Sequence, residues 1–377
     1  MQIQQIQPIH QIRLGYACIN ETLSKGTKGK KDTQVSCNKT CRLATVIAEG
    51  DKTETVPQSE IYSTAIYNFL IDYGIRNLKA VHKILVWNKD HDIYFYRMSS
   101  DMFPHIGNLQ IKNLLNDTHW QNYNNLHFVE SLIYEIGSYA QKYNIRLSMH
   151  PDHYNQMASP NSSVLEKTLI DLAWHTRLLD LLQIGADNYI QYKYPDTNQN
   201  TNKDTNQNTH IRNVCIDSTL CLHGGGTYKD KVSSIQRWKT FYLSLPLNIQ
   251  KRICLENCEK SYSAEDLLSI CEELNIPLIF DFHHYACWAN YHPDNPDQPA
   301  ISELLPRIVA TWNRRKIRPK FHLSDQAADK RVGAHHDYVQ EIPIELLTLS
   351  LSQSIDVMIE AKAKEAAVFH LKKKYNV

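Results

Sequence analysis

Arg252-Ile-Cys-Leu-Glu256 is a short apolar run that stops on a carboxylate, and the pattern recurs on both sides of it. Upstream lie Arg146-Leu-Ser-Met-His150 and Leu220-Cys-Leu-His223. Downstream lie Pro277-Leu-Ile-Phe-Asp281 with His284 just beyond, Lys320-Phe-His322, and Asp356-Val-Met-Ile-Glu360. His223, Glu256, Asp281, His322 and Glu360 follow one another at 33, 25, 41 and 38 positions. That period fits a β-strand plus its crossover helix, and eight such units close into a barrel whose strand C-termini share one face. The expectation is therefore an α/β protein, a single-domain (β/α)8 TIM barrel with long loop insertions. Imidazoles and carboxylates gathered at that face can hold more than one divalent cation.

The rest of the chain fits this frame. Residues 12–17 read as the first strand, 93–97 as the second, 145–150 as the third and 215–223 as the fourth. The last four are read at 252–256, 277–281, 319–323 and 355–360. Amphipathic periodicity predicts helices at 59–72, 76–87, 125–143, 164–182, 232–243, 263–274, 300–314 and 361–374. The polar stretch of about 22–57 has too little periodicity for anything but a loop. Asp196-Thr-Asn-Gln-Asn-Thr-Asn-Lys is nearly repeated from Asp204, so about 195–210 reads as a disordered low-complexity surface insertion.

Composition narrows the function classes. With 377 residues and 42% hydrophobic content the chain can bury a large core. Its formal charge of +1 rules out a polycation, so affinity for nucleic acid must come from a local surface. Nine cysteines without a CxxC pair point to reduced thiols. The polar start Met1-Gln-Ile-Gln-Gln carries no signal-peptide core, and no apolar run reaches membrane-spanning length. A soluble intracellular protein of the cytoplasm or nucleus is expected, without membrane contact. The 18 histidines are many for this length, and those of the second half crowd the strand ends.

Leu14-Gly-Tyr-Ala-Cys-Ile-Asn20, Tyr96-Arg-Met-Ser-Ser100, Arg146-Leu-Ser-Met-His-Pro151, His223-Gly-Gly-Gly-Thr-Tyr-Lys-Asp-Lys231, Leu255-Glu-Asn257, Asp281-Phe-His-His284, Lys320-Phe-His-Leu-Ser324 and Glu360-Ala-Lys362 together resemble the UV-damage endonucleases, in order from about residue 12 to 365. The resemblance implies an endonuclease IV-like barrel with three divalent metal ions, Mn²⁺ first with Zn²⁺ or Mg²⁺ acceptable. Such an enzyme nicks damaged double-stranded DNA 5′ of pyrimidine dimers, 6-4 photoproducts and abasic sites, leaving a 3′-hydroxyl and a 5′-phosphate. It implies one metal on His150, His223 and Glu256, and a second on Glu256, Asp281, His322 and Glu360. A third would sit on His284, His335 and a carboxylated Lys320. Glu256 and Lys320 are the expected catalytic residues.

Two positions depart from the family pattern. Asn108 stands where a further ligand of the first metal is expected, so either His105 substitutes or that metal is held less firmly. Pro151-Asp-His-Tyr154 replaces the usual Pro-Gly-Gln-Tyr, which makes Tyr16, His153 and Tyr154 the implied lesion readers, with Asn20 beside them. Lys229, Lys231 and Lys260 are candidate phosphate contacts. The competing readings are an abasic-site endonuclease of the endonuclease IV type and, in another class, a sugar isomerase of the xylose isomerase type. Monomeric action is expected, since one lesion needs one barrel.

Overall fold

A computed structural model describes residues 11–27, 33–53, 56–183, 189–195, 209–215 and 217–377. Eight parallel strands close on themselves: β1 (Ile12–Ala17), β2 (Phe95–Met98), β3 (Arg146–Met149), β6 (Leu220–His223), β7 (Ile253–Glu256), β8 (Leu278–Asp281), β9 (Lys320–Leu323) and β10 (Ile355–Ile359). Hydrogen bonding runs in the order β1-β10-β9-β8-β7-β6-β3-β2 and back to β1. Parallel neighbours require crossovers, and helices supply them. Helix Ala264–Leu274 opens on a capping box formed by Ser263 and Asp266 and buries Leu267, Leu268, Ile270 and Cys271. Helix Ile301–Arg314 is tied to β8 through Thr311, whose hydroxyl accepts from Leu278 N, and through the Trp312 indole, which donates to Leu278 O.

Between β3 and β6 in sequence, β4 (Tyr189–Pro195) and β5 (Thr209–Cys215) pair antiparallel as a separate two-stranded sheet. The fourth barrel strand is therefore only Leu220–His223, not 215–223: the residues up to Cys215 pair with β4 instead. The expected low-complexity insertion falls mainly on residues 196–208, which lie outside the described residues.

Two further expectations are corrected. The helices at 59–72 and 76–87 are one helix, Glu60–Asp90. Gly74, at the supposed joint, is a close-approach site: an added Cβ would come within 2.9 Å of the Phe103 ring. The stretch 22–57 contains helix Leu43–Asp51, which buries Val46, and the end of helix Glu21–Lys25. Its polar chain is fastened by Asn77, whose amide donates to Lys39 O and Met102 O and accepts from Lys39 N. Side-chain anchoring of this kind leaves no hydrophobic period to read.

The barrel floor holds a buried charge cluster. Asp356, without solvent exposure, accepts a bidentate pair from Arg13 at 2.6 and 2.8 Å, a bond from Arg146 at 2.8 Å and one from Arg318 at 3.3 Å. Those guanidiniums outweigh the cost of burial and hold the Asp356 carboxyl well below the usual range. Among the described residues no helix is long and apolar enough to cross a membrane.

Candidate metal centre

Strand register builds the site. His223 pairs with Glu256 across β6 and β7, and Asp281 pairs with His322 across β8 and β9. Alternation along a strand then turns these side chains to the barrel interior. His150 and Glu360 come directly after β3 and β10. Asn257 clamps the next strand, accepting from Asp281 N at 2.8 Å and donating to Asp281 O at 3.0 Å. Asp281 in turn caps helix Phe282–Tyr291, accepting from His284 N at 2.7 Å, which fixes His284 over the site.

Glu256, only 1% exposed, is the hub. One carboxylate oxygen lies 2.9 Å from His322 Nδ1 and 3.6 Å from His284 Nδ1. The other accepts from the Cys221 thiol at 2.8 Å and lies 3.3 Å from His150 Nε2 and 4.0 Å from His223 Nε2. Burial alone would raise its carboxyl, but His322, His223 and His150 together hold it well below the usual range. Glu360 is likewise held low against burial by Arg97, with which it pairs, and by His322 at 3.2 Å. His284 shows the reciprocal effect: burial opposes its charge, yet Asp281, Glu256, Glu259 and Glu360 push it up to about 10. Burial wins at His223, which drops to about 3.

Three sets of side chains bring ligand atoms within 4.8 Å of one another: His150–Cys221–Glu256, Glu256–Asp281–His284 and Asp281–His322–Glu360. Several buried atoms of the site have no hydrogen-bond partner among the described residues: Asp281 Oδ2, His322 Nε2 and His223 Nδ1. Orphaned buried lone pairs are costly, and convergent imidazoles and carboxylates are the donors that divalent cations take. The residues present therefore fit divalent metal ions. Above them opens a cleft of about 750 Å³ lined by His150, His153, His223, His284 and Glu360, with Arg97 and Arg331 on its wall.

Other expected site residues are placed differently. Lys320 is fully buried beneath the ligands and its amine donates to Thr219 Oγ1 at 3.2 Å. His335 lines the cleft, with its ring 5.7 Å from that of His283. His284 converges with Glu256 and Asp281, while His335 and Lys320 join none of the three donor sets. His105 does not substitute for Asn108: its Nε2 faces Cys41 O at 3.0 Å, in a separate cavity of about 720 Å³. Asn108 caps helix Leu109–Lys112.

Tyr16 and Asn20 are not available as lesion readers, since both are buried. The Tyr16 hydroxyl donates to Asn88 and accepts from Asn20, whose side chain also caps helix Glu21–Lys25. Tyr154 is 60% exposed at the mouth of the second cavity, and His153 is exposed in the same turn. Lys229 is exposed and Lys260 lines the cleft, whereas Lys231 is engaged by Asp266 at 2.8 Å. Sequence reasoning passed over Arg97 and Cys221. Both were within reach, Arg97 as a lone cation within β2 and Cys221 two residues before His223, on the same face of the strand.

The family model of UV-endonuclease UvdE matches residues 12–214 and 206–377. The chain belongs to that family. As a UvdE member it is a UV-damage endonuclease, an enzyme that acts on DNA. A protein of Acanthamoeba polyphaga mimivirus is 34% identical over 366 residues, covering 97% of this chain and 91% of its own length. The UV-damage endonuclease of Schizosaccharomyces pombe is 32% identical over 97% of this chain, which spans only 51% of that longer protein. The crystal structure of SacUVDE superposes with a TM-score of 0.68 at 24% identity, covering 97% of this chain and 99% of the other. That likeness shows a shared fold.

Proposed function

We propose that this UvdE member hydrolyses the phosphodiester bond immediately 5′ of UV photolesions in double-stranded DNA, acting as a single copy and depending on divalent metal ions. The observation that carries the reading is Glu256, whose two oxygens join two of the three donor sets beside partnerless buried nitrogens and oxygens. Bound divalent cations would supply Lewis acidity and a water acidified towards neutral pH. Three ions match the three donor sets, and the mixture of imidazole and carboxylate suits Mn²⁺ or Zn²⁺ and accepts Mg²⁺.

The chain's own residues do the positioning. Asn257 and the cap on His284 hold Asp281 against rotation. Arg97 fixes Glu360 and places a permanent cation on the cleft wall, where a phosphate oxygen can use it. The exposed Tyr154 ring offers a surface on which an unstacked base can rest, and damage lowers the cost of unstacking. A 3′-hydroxyl and a 5′-phosphate are the expected products, with positioning and electrostatics supplying most of the acceleration. The carboxylated form of Lys320 belongs to this proposal as well: a carbamate there would exchange its bond to Thr219 for a place among the ligands.

Strand cleavage of three end-labelled duplexes tests the proposal: one with a single pyrimidine dimer, one with an abasic site and one undamaged, each with Mn²⁺ and with EDTA. A chelator-sensitive cut directly 5′ of the dimer is expected. Cutting confined to the abasic duplex would transfer the chain to the narrower, abasic-site reading. In the same assay Tyr154→Ala should weaken binding of the dimer duplex by about 5- to 150-fold, the range for losing one base–aromatic stack of about 1–3 kcal/mol. Metal content and thermal stability should not change, because the ring is mostly in solvent. A parallel loss of bound metal would make Tyr154 structural.

A further inference from the structure

His153 was expected to read the lesion, yet its ring faces the histidines of the metal centre. It stacks on His223 with ring centroids 4.9 Å apart and 26° between planes, and it meets His150 edge-on at 5.9 Å. His150 and His223 are 5.1 Å apart, which completes a triangle of imidazoles. An ion holding an imidazole nitrogen at about 2.1 Å sits about 3 Å from the ring centre, so two rings on one ion stand about 4.5–5.5 Å apart. Two of the three spacings fall in that range; because an ion lies in the plane of each ring that holds it, the stacked His153 ring must turn its edge towards the other two for the three nitrogens to converge.

The turn carrying His153 is built to stay there. Gln156 donates from its amide to His153 O at 2.6 Å and accepts from Gly226 N at 2.7 Å, so one side chain ties the turn to the loop that follows His223. Asn155 stiffens the same turn, donating to Asp152 O at 3.0 Å and to Asp171 at 2.7 Å. Among the described residues no hydrogen bond occupies the ring nitrogens of His153. His223 Nδ1 is buried and likewise without a hydrogen-bond partner among the described residues.

We infer that His153 is a ligand of the first metal, completing a three-histidine face with His150 and His223 opposite Glu256 and biasing that position towards nitrogen-preferring divalent cations such as Zn²⁺ and Co²⁺. The inference rests on the metal reading above and adds a residue to it. It moves His153 from the DNA-reading surface to the metal, and leaves Tyr154 as the exposed ring of that turn. It also supplies the firmer hold on the first metal that His105, turned to Cys41, does not give.

The test is a Co²⁺ titration of the full chain stripped of metal, against a competing chromophoric chelator, with the visible Co²⁺ spectrum recorded throughout. His153→Gln keeps size and polarity in an exposed turn but cannot replace the imidazole. It should weaken one of the bound equivalents by at least about 10-fold, the effect of losing even an outer partner of a ligand, and should shift the Co²⁺ absorption bands. His153→Asp restores a donor and should recover most of the affinity with a different spectrum. If His153→Gln retains every equivalent and an unchanged spectrum while the wild type binds Co²⁺, this inference is overturned and the metal reading stands. If the wild type takes up no Co²⁺, both are overturned together.

Discussion

Glu256→Gln should lower cleavage of dimer-containing duplex by at least about 10²–10³-fold, the scale for removing one preorganised electrostatic group from a catalytic site, while leaving affinity for the damaged DNA largely intact. The argument is geometric. Glutamine matches the size of glutamate but turns one carboxylate oxygen into a donor. Both oxygens of Glu256 are committed: one side serves His322 at 2.9 Å and His284 at 3.6 Å, the other Cys221 at 2.8 Å and His150 at 3.3 Å. An amide NH₂ therefore meets groups arranged around a full negative charge whichever way it is flipped. The same substitution removes the shared member of two donor sets, so the damage reaches more than one metal position. Arg331 and Lys260 line the same cleft and do not touch Glu256, so on the proposed function the cations open to a phosphate are unchanged by the substitution. Single-turnover cleavage of an end-labelled duplex and a separate binding isotherm check the two halves of the statement. Nicking at the wild-type rate would sink the assignment of Glu256 as the hub.

The strand ends were legible because a short parallel strand is buried on both faces, so a carboxylate or imidazole terminating an apolar run has no bland place to go. β1, β3 and the last four strands were predicted to within about two residues for that reason. What failed to show were features fixed by one long-range contact. Gly74 resembles a helix break until Phe103 is seen against it. The chain around Lys39 resembles free loop until Asn77 is seen bracing it. Tyr16 carries the same ambiguity: a tyrosine at a strand end is a surface wedge or a core ring depending on whether a partner waits for its hydroxyl, and Asn88, 72 residues away in sequence, is that partner.

The centre itself divides in the same way. His223, Glu256, Asp281, His322 and Glu360 are spaced by the barrel repeat, His150 ends an earlier strand of it, and the closed sheet brings these strand ends together. His284 follows from them, since Asp281 caps the helix that carries it. Loop residues have no such rule. His105, His335, His153, Lys229 and Lys260 lie in turns whose course depends on side-chain bonds such as Gln156 to Gly226, and no periodicity encodes those. Arg97 and Cys221 were overlooked for a different reason: both lie inside their strands, whereas the pattern that stood out was carboxylates and imidazoles at strand ends. Yet a carboxylate-rich site needs counter-charge, and Arg97 provides it for Glu360.

At the opposite end of the barrel, Asp356→Asn should cost about 3–5 kcal/mol of folding stability, the effect of breaking a buried ion pair from one side. Asp356 is fully buried among Arg13, Arg146 and Arg318, and Arg146 has only 1% of its side chain exposed. The asparagine can still accept on one side, but it leaves three guanidiniums facing one another with only Asp217, 3.2 Å from Arg146, as a remaining anion. The pH dependence identifies the mechanism. The folded-state carboxyl lies below its unfolded value, because the arginines more than offset burial. Its contribution is therefore complete above the unfolded carboxylate value of about 4 and is lost as pH falls through the folded value. The wild type must lose that contribution on acidification and the variant, having none, must not, so the gap between them should narrow steadily below about pH 4. Urea midpoints of the two proteins from pH 7 down to pH 3, compared at equal m-value, measure it. A gap that stays constant over that range would mean that Asp356 acts by shape and hydrogen bonding, with its charge contributing nothing to the floor of the barrel.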